Sequence, residues 1–231
     1  MWPPEKENSL IKGWDRVSIA INFDNLEYYC SYLNKTLKDV QLRFKEKTLK
    51  EAEKMDEEEK SHFYDYMSEE HWRLHDVFPS LHWNSTFITA YGLFEYHLNA
   101  ICMILQNKSK CGIKVSVIKG KGIERSKIYL SSIWNLQIFF SSKDWSKIKD
   151  YALVRNSLAH NSGELKLDKD GPKNHKKISE LLKIHDAVEI DEDGDCGIGR
   201  IKLKPSFVID SIKMYKKFLM NLCIIETQIK C

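Results

Sequence analysis

Ile19, Phe23, Leu26, Cys30, Leu33, Leu37 and Val40 follow one another at three- and four-residue steps. That spacing places them on one face of a helix and predicts a single long helix over about 15–55. Its far end is a run of charge: five lysines and seven acids fill twelve of the sixteen positions 45–60. Such a run reads as a solvated helix end or the tip of a helical hairpin. A second helical stretch is expected from about Glu58 to Phe78, with Pro79-Ser80 marking a break or kink. From Leu81 to Lys108 the apolar stripe is broadest, through Phe87, Ala90, Tyr91, Phe94, Leu98, Ile101, Cys102 and Leu105. This is the strongest candidate for a buried helix.

Beyond it the pattern shortens. Ile113–Ile118 alternates like a strand, and a Gly-Lys-Gly loop at 120–122 leads to a helix over about Ile123–Trp134. Another helix is expected from Lys143-Asp144 to His160, with Gly163 as its stop. Residues 164–174 read as a polar loop and 175–185 as a short helix. Ala187–Ile190 and Gly199–Leu203, joined across Asp-Glu-Asp-Gly-Asp, read as a β-hairpin. A last amphipathic helix opens at Pro205, and its charges at Asp210, Lys213, Lys216 and Lys217 argue against a membrane span. The pattern predicts an all-α bundle with a minor hairpin. Residues 1–80 form an N-terminal helical extension on a core of 81–231, together one compact unit.

Composition agrees with this reading. The chain has 231 residues, enough for a core without disulfides or a structural metal. Its 5 prolines and 10 glycines are too few for an all-β chain built on many turns. A net charge of +3 neither requires nor opposes a nucleic-acid partner. The six cysteines, at 30, 102, 111, 196, 223 and 231, form no C-x-x-C pair. With no apolar leader at the N-terminus, a reduced, cytoplasmic protein is expected.

One segment carries candidate chemistry: Asp150-Tyr-Ala-Leu-Val-Arg155-Asn156-Ser-Leu-Ala-His160-Asn161-Ser162-Gly163. Asn156 and His160 are four apart and share a helix face. Arg155 lies about 140° around the helix from His160 and about 7.5 Å along it, flanking that face. A permanent cation, an amide and a group that titrates near neutrality suit phosphodiester chemistry. The blander alternative is a helix-end arginine on carbonyls beside a surface histidine.

Arg155-Asn156-x-x-x-His160, with a small residue before the histidine, resembles the R-x(4–6)-H motif of the HEPN superfamily. These are all-helical domains of prokaryotic toxins, phage-defence proteins and several ribonucleases. Tyr91-Gly-Leu-Phe94-Glu95-Tyr-His-Leu-Asn99 is similar to the preceding family helix, and Lys202-Leu-Lys-Pro-Ser-Phe207-Val208 to the start of the closing one. The resemblance implies a metal-independent endoribonuclease, without cofactor, acting as a toxin or antiviral effector. His160 would move protons, Arg155 would stabilise the charged transition state, and Asn156 would orient His160 or touch phosphate. The ribose 2′-OH would attack. One motif histidine per chain implies a homodimer with facing motif helices. RNA and an antitoxin or defence partner are the implied partners. The alternative within the fold is a non-catalytic dimer that binds RNA, nucleotide or protein. Ser162 stands where one toxin branch has a tyrosine that its partner modifies, so that regulation is not expected.

Other candidates are weaker. Glu95 is either a solvent-facing acid or a partner that holds the Arg155 guanidinium. Lys119, Lys121 and Arg125 are candidates for RNA-backbone contact, although no G-x-x-x-x-G-K-[ST] is present. His71 and His75 have metal-capable spacing but lack the glutamate and third ligand of a zinc site, so no metal is expected. Asp191–Asp195 has calcium-loop composition but misplaced glycine, and a hairpin turn is favoured.

Overall fold

A computed structural model describes residues 11, 13–108, 112–166, 172–184, 188–190 and 198–224. The acidic turn at 191–195, part of the polar loop, and Cys111, Cys196 and Cys231 lie outside the described residues. The fold is all-α with a small antiparallel sheet. Its helices are α1 (Gly13–Ala52), α2 (Glu57–Trp72), α3 (Phe78–Lys108), α4 (Gly122–Ser132), α5 (Gln137–Phe140), α6 (Lys143–His160), α7 (Lys173–Ile184) and α8 (Pro205–Cys223). The strands are β1 (Glu164–Lys166), β2 (Val188–Ile190) and β3 (Ile198–Leu203), in the order β1-β3-β2.

The core forms around α3. Phe87, Phe94, Leu98 and Leu105 are buried on it, and Phe94 stacks on Tyr215 of α8 with ring centres 5.0 Å apart. The N-terminal half of α1 joins the same cluster through Ile19, Phe23 and Cys30. Past Cys30, α1 leaves the core and turns back as α2, on which no residue is fully buried. The charge run forms the hairpin tip. Asp56 Oδ1 accepts from the Glu58 and Glu59 amides at 3.0 and 2.9 Å, and Glu59 accepts from the Asp56 amide at 3.1 Å. This reciprocal cap starts α2 in the absence of core packing.

Pro79 does not break the chain. Helix runs through it because Arg73–Val77 forms a π-helical turn just before it. The Phe78 amide bonds to Arg73 O instead of Leu74 O. Proline supplies no amide for the carbonyl left over, and the Gln41 side chain of α1 donates to Leu74 O at 2.8 Å. The resulting Glu57–Lys108 helix includes a window apolar and long enough to cross a membrane, 44% of it buried inside the protein. That share is the core-facing side of α3.

Two short elements differ from expectation. Ile113–Ile118 holds a 3₁₀ turn at Val115–Val117, with the Val115 amide on Gln106 Oε1 at 2.7 Å. An alternating run becomes a strand only when another strand pairs with it. Conversely, the start of the polar loop is β1, whose Leu165 is fully buried and pairs with Gly199. β2 and β3 form the expected hairpin, with Ile190 opposite Ile201. The Asn84 amide ties the sheet to α3, donating to Ile201 O at 3.1 Å and accepting from the Leu203 amide at 3.3 Å.

Candidate functional site

Helix α6 carries the motif. Ser142 caps it, accepting from the Trp145 amide at 3.1 Å. Trp145, Ile148, Tyr151, Val154 and Leu158 anchor it in the core. On one outer side runs a stripe of exposed Lys149, Asn156 and His160, with the partly buried Ala152 between them. Eleven residues turn a helix just over three full times, so Lys149 and His160 are nearly in line. The helix ends just after His160. Ser162 and Gly163 have φ of 53° and 78°, and the Asn161 and Gly163 amides both return to Ser157 O. A Cβ on Gly163 would lie 3.1 Å from Leu158, so glycine suits both the backbone and the packing. Gly163 O then accepts from the Ile201 amide at 2.9 Å. The sheet thereby fixes the end of the helix that bears His160.

Arg155 leaves the flank of this stripe and enters a cleft of about 400 Å³ between α3, α6 and the start of α4. Tyr91, Glu95, Lys121, Lys149 and Asn156 line it with Arg155. The guanidinium sits 5.3 Å from the centre of the Tyr91 ring, within cation–π range. Arg155 Nη1 donates to Asn156 Oδ1 at 2.9 Å, while Nε is buried without a partner. Asn156 Oδ1 thus holds Arg155, and no hydrogen bond between Asn156 and His160 occurs among the described contacts. Burial raises the Tyr91 hydroxyl's pKa; Glu95 adds to the rise and Arg155 opposes it. The phenol stays protonated and can only donate or accept a hydrogen bond.

Glu95 shares the cleft with Arg155, but no ion pair joins them among the described contacts. Its carboxylate leans instead on the first turn of α4. A Cβ on Gly122, where φ is 55°, would lie 2.8 Å from Glu95 Oε1. The absent side chain at Gly122 makes room for that acid. Glu124, at the same helix start, lies 3.4 Å from Lys127. Lys121, Lys149 and Arg155 thus stand against Glu95 and Glu124 in the cleft's lining, an excess of one positive charge that favours an anion there.

The remaining candidates divide. Lys121 lines the cleft; Lys119 is exposed and outside its lining. Arg125 donates through Nε and Nη2 to Gly120 O, at 3.0 and 2.9 Å, and so folds its own loop. His160 is exposed and is not among the cleft's lining residues. His71 and His75 stack with ring centres 4.3 Å apart, and no cluster of three potential metal ligands occurs among the described residues. Sequence reasoning passed over Tyr91 and Lys149. Lys149 was within reach, because it stands seven residues before Asn156 and repeats its face.

No protein-family model matches the chain, no curated protein matches it, and no solved structure matches it.

Proposed function

We propose that this protein is a metal-independent endoribonuclease of the HEPN type, a toxin or defence effector of the reducing cytoplasm. The observation that carries the reading is the arrangement on α6. Arg155 is held in a cationic cleft by Tyr91 and Asn156, and His160 stands free one turn beyond Asn156. The buried thiols are compatible with a reducing compartment. Burial pushes Cys30 up to about 11 and Cys102 and Cys223 up to about 12, which keeps them protonated and inert.

In this reading two chains pair with their α6 helices facing, and RNA lies between them. Arg155 binds the scissile phosphate and meets the charge that grows on its oxygens. His160 of one chain takes the proton of the ribose 2′-OH as that oxygen attacks phosphorus. The other copy's histidine protonates the departing 5′-oxygen. The P–O5′ bond breaks as the P–O2′ bond forms, leaving a 2′,3′-cyclic phosphate and a 5′-hydroxyl. Incubating RNA with the protein in EDTA, followed by end-group analysis, tests the reaction. Cyclic phosphate ends support it; no cleavage, or 3′-hydroxyl ends, contradict it.

A second reading rests on His160 lying outside the Arg155 cleft. A single chain then holds phosphate-binding groups without a proton carrier, which fits a dimer that binds RNA, nucleotide or protein without cutting. Retained RNA binding with no cleavage at any pH would select it.

A further inference from the structure

Helices α1 and α3 run antiparallel, and together they expose a face without charge. On α1, Ser18, Ile21, Asn22, Asn25, Tyr28, Tyr29, Tyr32 and Thr36 form an uncharged stripe at three- and four-residue steps, bordered on its outer edge by Asp24 and Lys35. On α3 the matching outer positions from Leu81 to Met103 are uncharged too. The stripes lie side by side, because Asn22 meets His97 at 3.0 Å and the Tyr29 and His82 rings approach to 5.5 Å. At the outer edge of the α1 stripe, Asp24 is neutralised by Lys216 of α8. In a chain with 30% charged residues, an uncharged face across two helices is a marked departure.

The face is also well supplied with exposed tyrosine rings and one exposed leucine. Tyr28 is 75% exposed, Tyr32 61%, Leu81 62% and Tyr96 65%. Loss of charge with gain of tyrosine is the composition of an interface centre. A groove of about 550 Å³ between Tyr29, Leu81, Ser85 and Thr89 could seat an aromatic side chain. At the middle of the α3 stripe is Gly92, whose Cβ position meets nothing within 4 Å. Nothing in the chain's own packing requires glycine there.

We propose that this face is where a second copy of the chain docks, in a twofold dimer that forms without RNA. Three observations choose that occupant. A twofold interface brings a patch against itself, and an uncharged patch does so without repulsion. The α6 face differs, since Lys149 and Arg155 would meet their own copies; its pairing awaits an anionic substrate. The size also fits. At about 1.5 Å per residue the stripes are about 30 Å long, and two helices span about 20 Å, so each copy offers roughly 600 Å². Two copies then bury about 1,200 Å², the lower end for a specific interface. Finally, Asn25, Ser85, Thr89 and Asn99 present hydrogen-bonding groups that a protein surface can satisfy and lipid tails cannot.

The proposal is independent of the ribonuclease reading, since it concerns the chain alone. Sedimentation velocity on the full chain, free of nucleic acid, tests it. At micromolar concentration the expected mass is twice the chain's 27.1 kDa. Gly92→Glu should raise the dimer dissociation constant by about 100-fold or more, because each copy would bury an unpaired charge. Its circular dichroism and melting temperature, taken on the dissociated chain, should be no lower than for the wild type in the same state. Asn156→Glu, on the α6 face, should leave the nucleic-acid-free dimer intact. A monomeric wild-type chain overturns the proposal. So does a Gly92→Glu chain that still dimerises, or a dimer that Asn156→Glu dissolves. Binding of the wild-type monomer to neutral lipid vesicles, lost in Gly92→Glu, would assign the face to a membrane and overturn it equally.

Discussion

Two surfaces of this bundle lie close in the fold and differ in every chemical respect. The α1–α3 face has tyrosine, asparagine and small residues and no charge. The α6 face and its cleft gather Lys149, Arg155 and Lys121, with a free histidine at the helix end. Both are carried by helices whose other sides are packed in one core. On the two proposals above, one small bundle would separate two tasks. A surface without charge is suited to a copy of itself, whereas a surface rich in cations repels its copy and is suited to a polyanion. Charge distribution, more than shape, distinguishes the two.

The largest effect is expected on the α6 side. Arg155→Ala and His160→Ala should each cut RNA cleavage by at least about 100-fold, the typical range for an acid–base group or an oxyanion donor. Far-ultraviolet circular dichroism should be unchanged, because His160 is exposed and Arg155 is only half-buried. Arg155→Lys should not rescue, because a single ammonium cannot keep both the Asn156 contact and a two-point phosphate contact. Rates on a defined RNA give the measurement.

Beneath both faces lies Phe94, fully buried and stacked on Tyr215. Phe94→Ala should cost about 3–5 kcal/mol of stability in denaturant titration. It should weaken cleavage and self-association together, through loss of the folded state. A variant that lost only one of them would break the view that one core supports both.

Acid should strain the α1–α3 seam. Burial lowers the pKa of His82 and of His97, the latter beside Asn22. The unfolded chain, with histidines near 6.5, therefore binds more protons than the folded one below that pH. Stability is full above pH 6.5 and declines as the pH falls below it, by at most about 1.4 kcal/mol per pH unit for each histidine. His97→Gln should flatten the slope measured by denaturation between pH 7 and pH 5. An unchanged slope would remove His97 from the account.

The smallest effect sharpens the comparison most. Gly92→Ala should stabilise the dissociated chain by about 1 kcal/mol, the usual cost of glycine within a helix, since a Cβ there meets nothing. Denaturation well below the dimer dissociation constant measures it. A destabilised variant would mean that the glycine serves the chain's own fold.

Much of this was legible in the sequence because it is local. Helix α6 was delimited by its lysine-aspartate start and by Gly163, and the structure gives Lys143–His160. The long α1 and the buried stripe of α3 follow from period alone, and the hairpin from two short runs on either side of an acidic Asp-Gly turn. What failed depended on distant partners. Of the break or kink expected at Pro79, the structure has a π-helical turn without a break, because the Gln41 side chain that takes up the spare carbonyl lies 38 residues earlier in the chain. The strand β1 was hidden in a polar run because Leu165 is its only buried position. At the site, Arg155, Asn156 and His160 could be placed on one helix. The spacing did not reveal that Asn156 turns to Arg155, or that Glu95 leans on Gly122 and leaves Arg155 to Tyr91. Those are matters of which helix stands opposite.

A DNA oligonucleotide containing one ribonucleotide tests the central claim most directly. The account predicts a single cut by the wild-type protein in EDTA, immediately 3′ of the ribonucleotide, leaving a 2′,3′-cyclic phosphate there. It predicts no cut of the all-deoxy strand and no cut of either strand by His160→Ala. Cleavage of the all-deoxy strand, or an undiminished cut by His160→Ala, would contradict it.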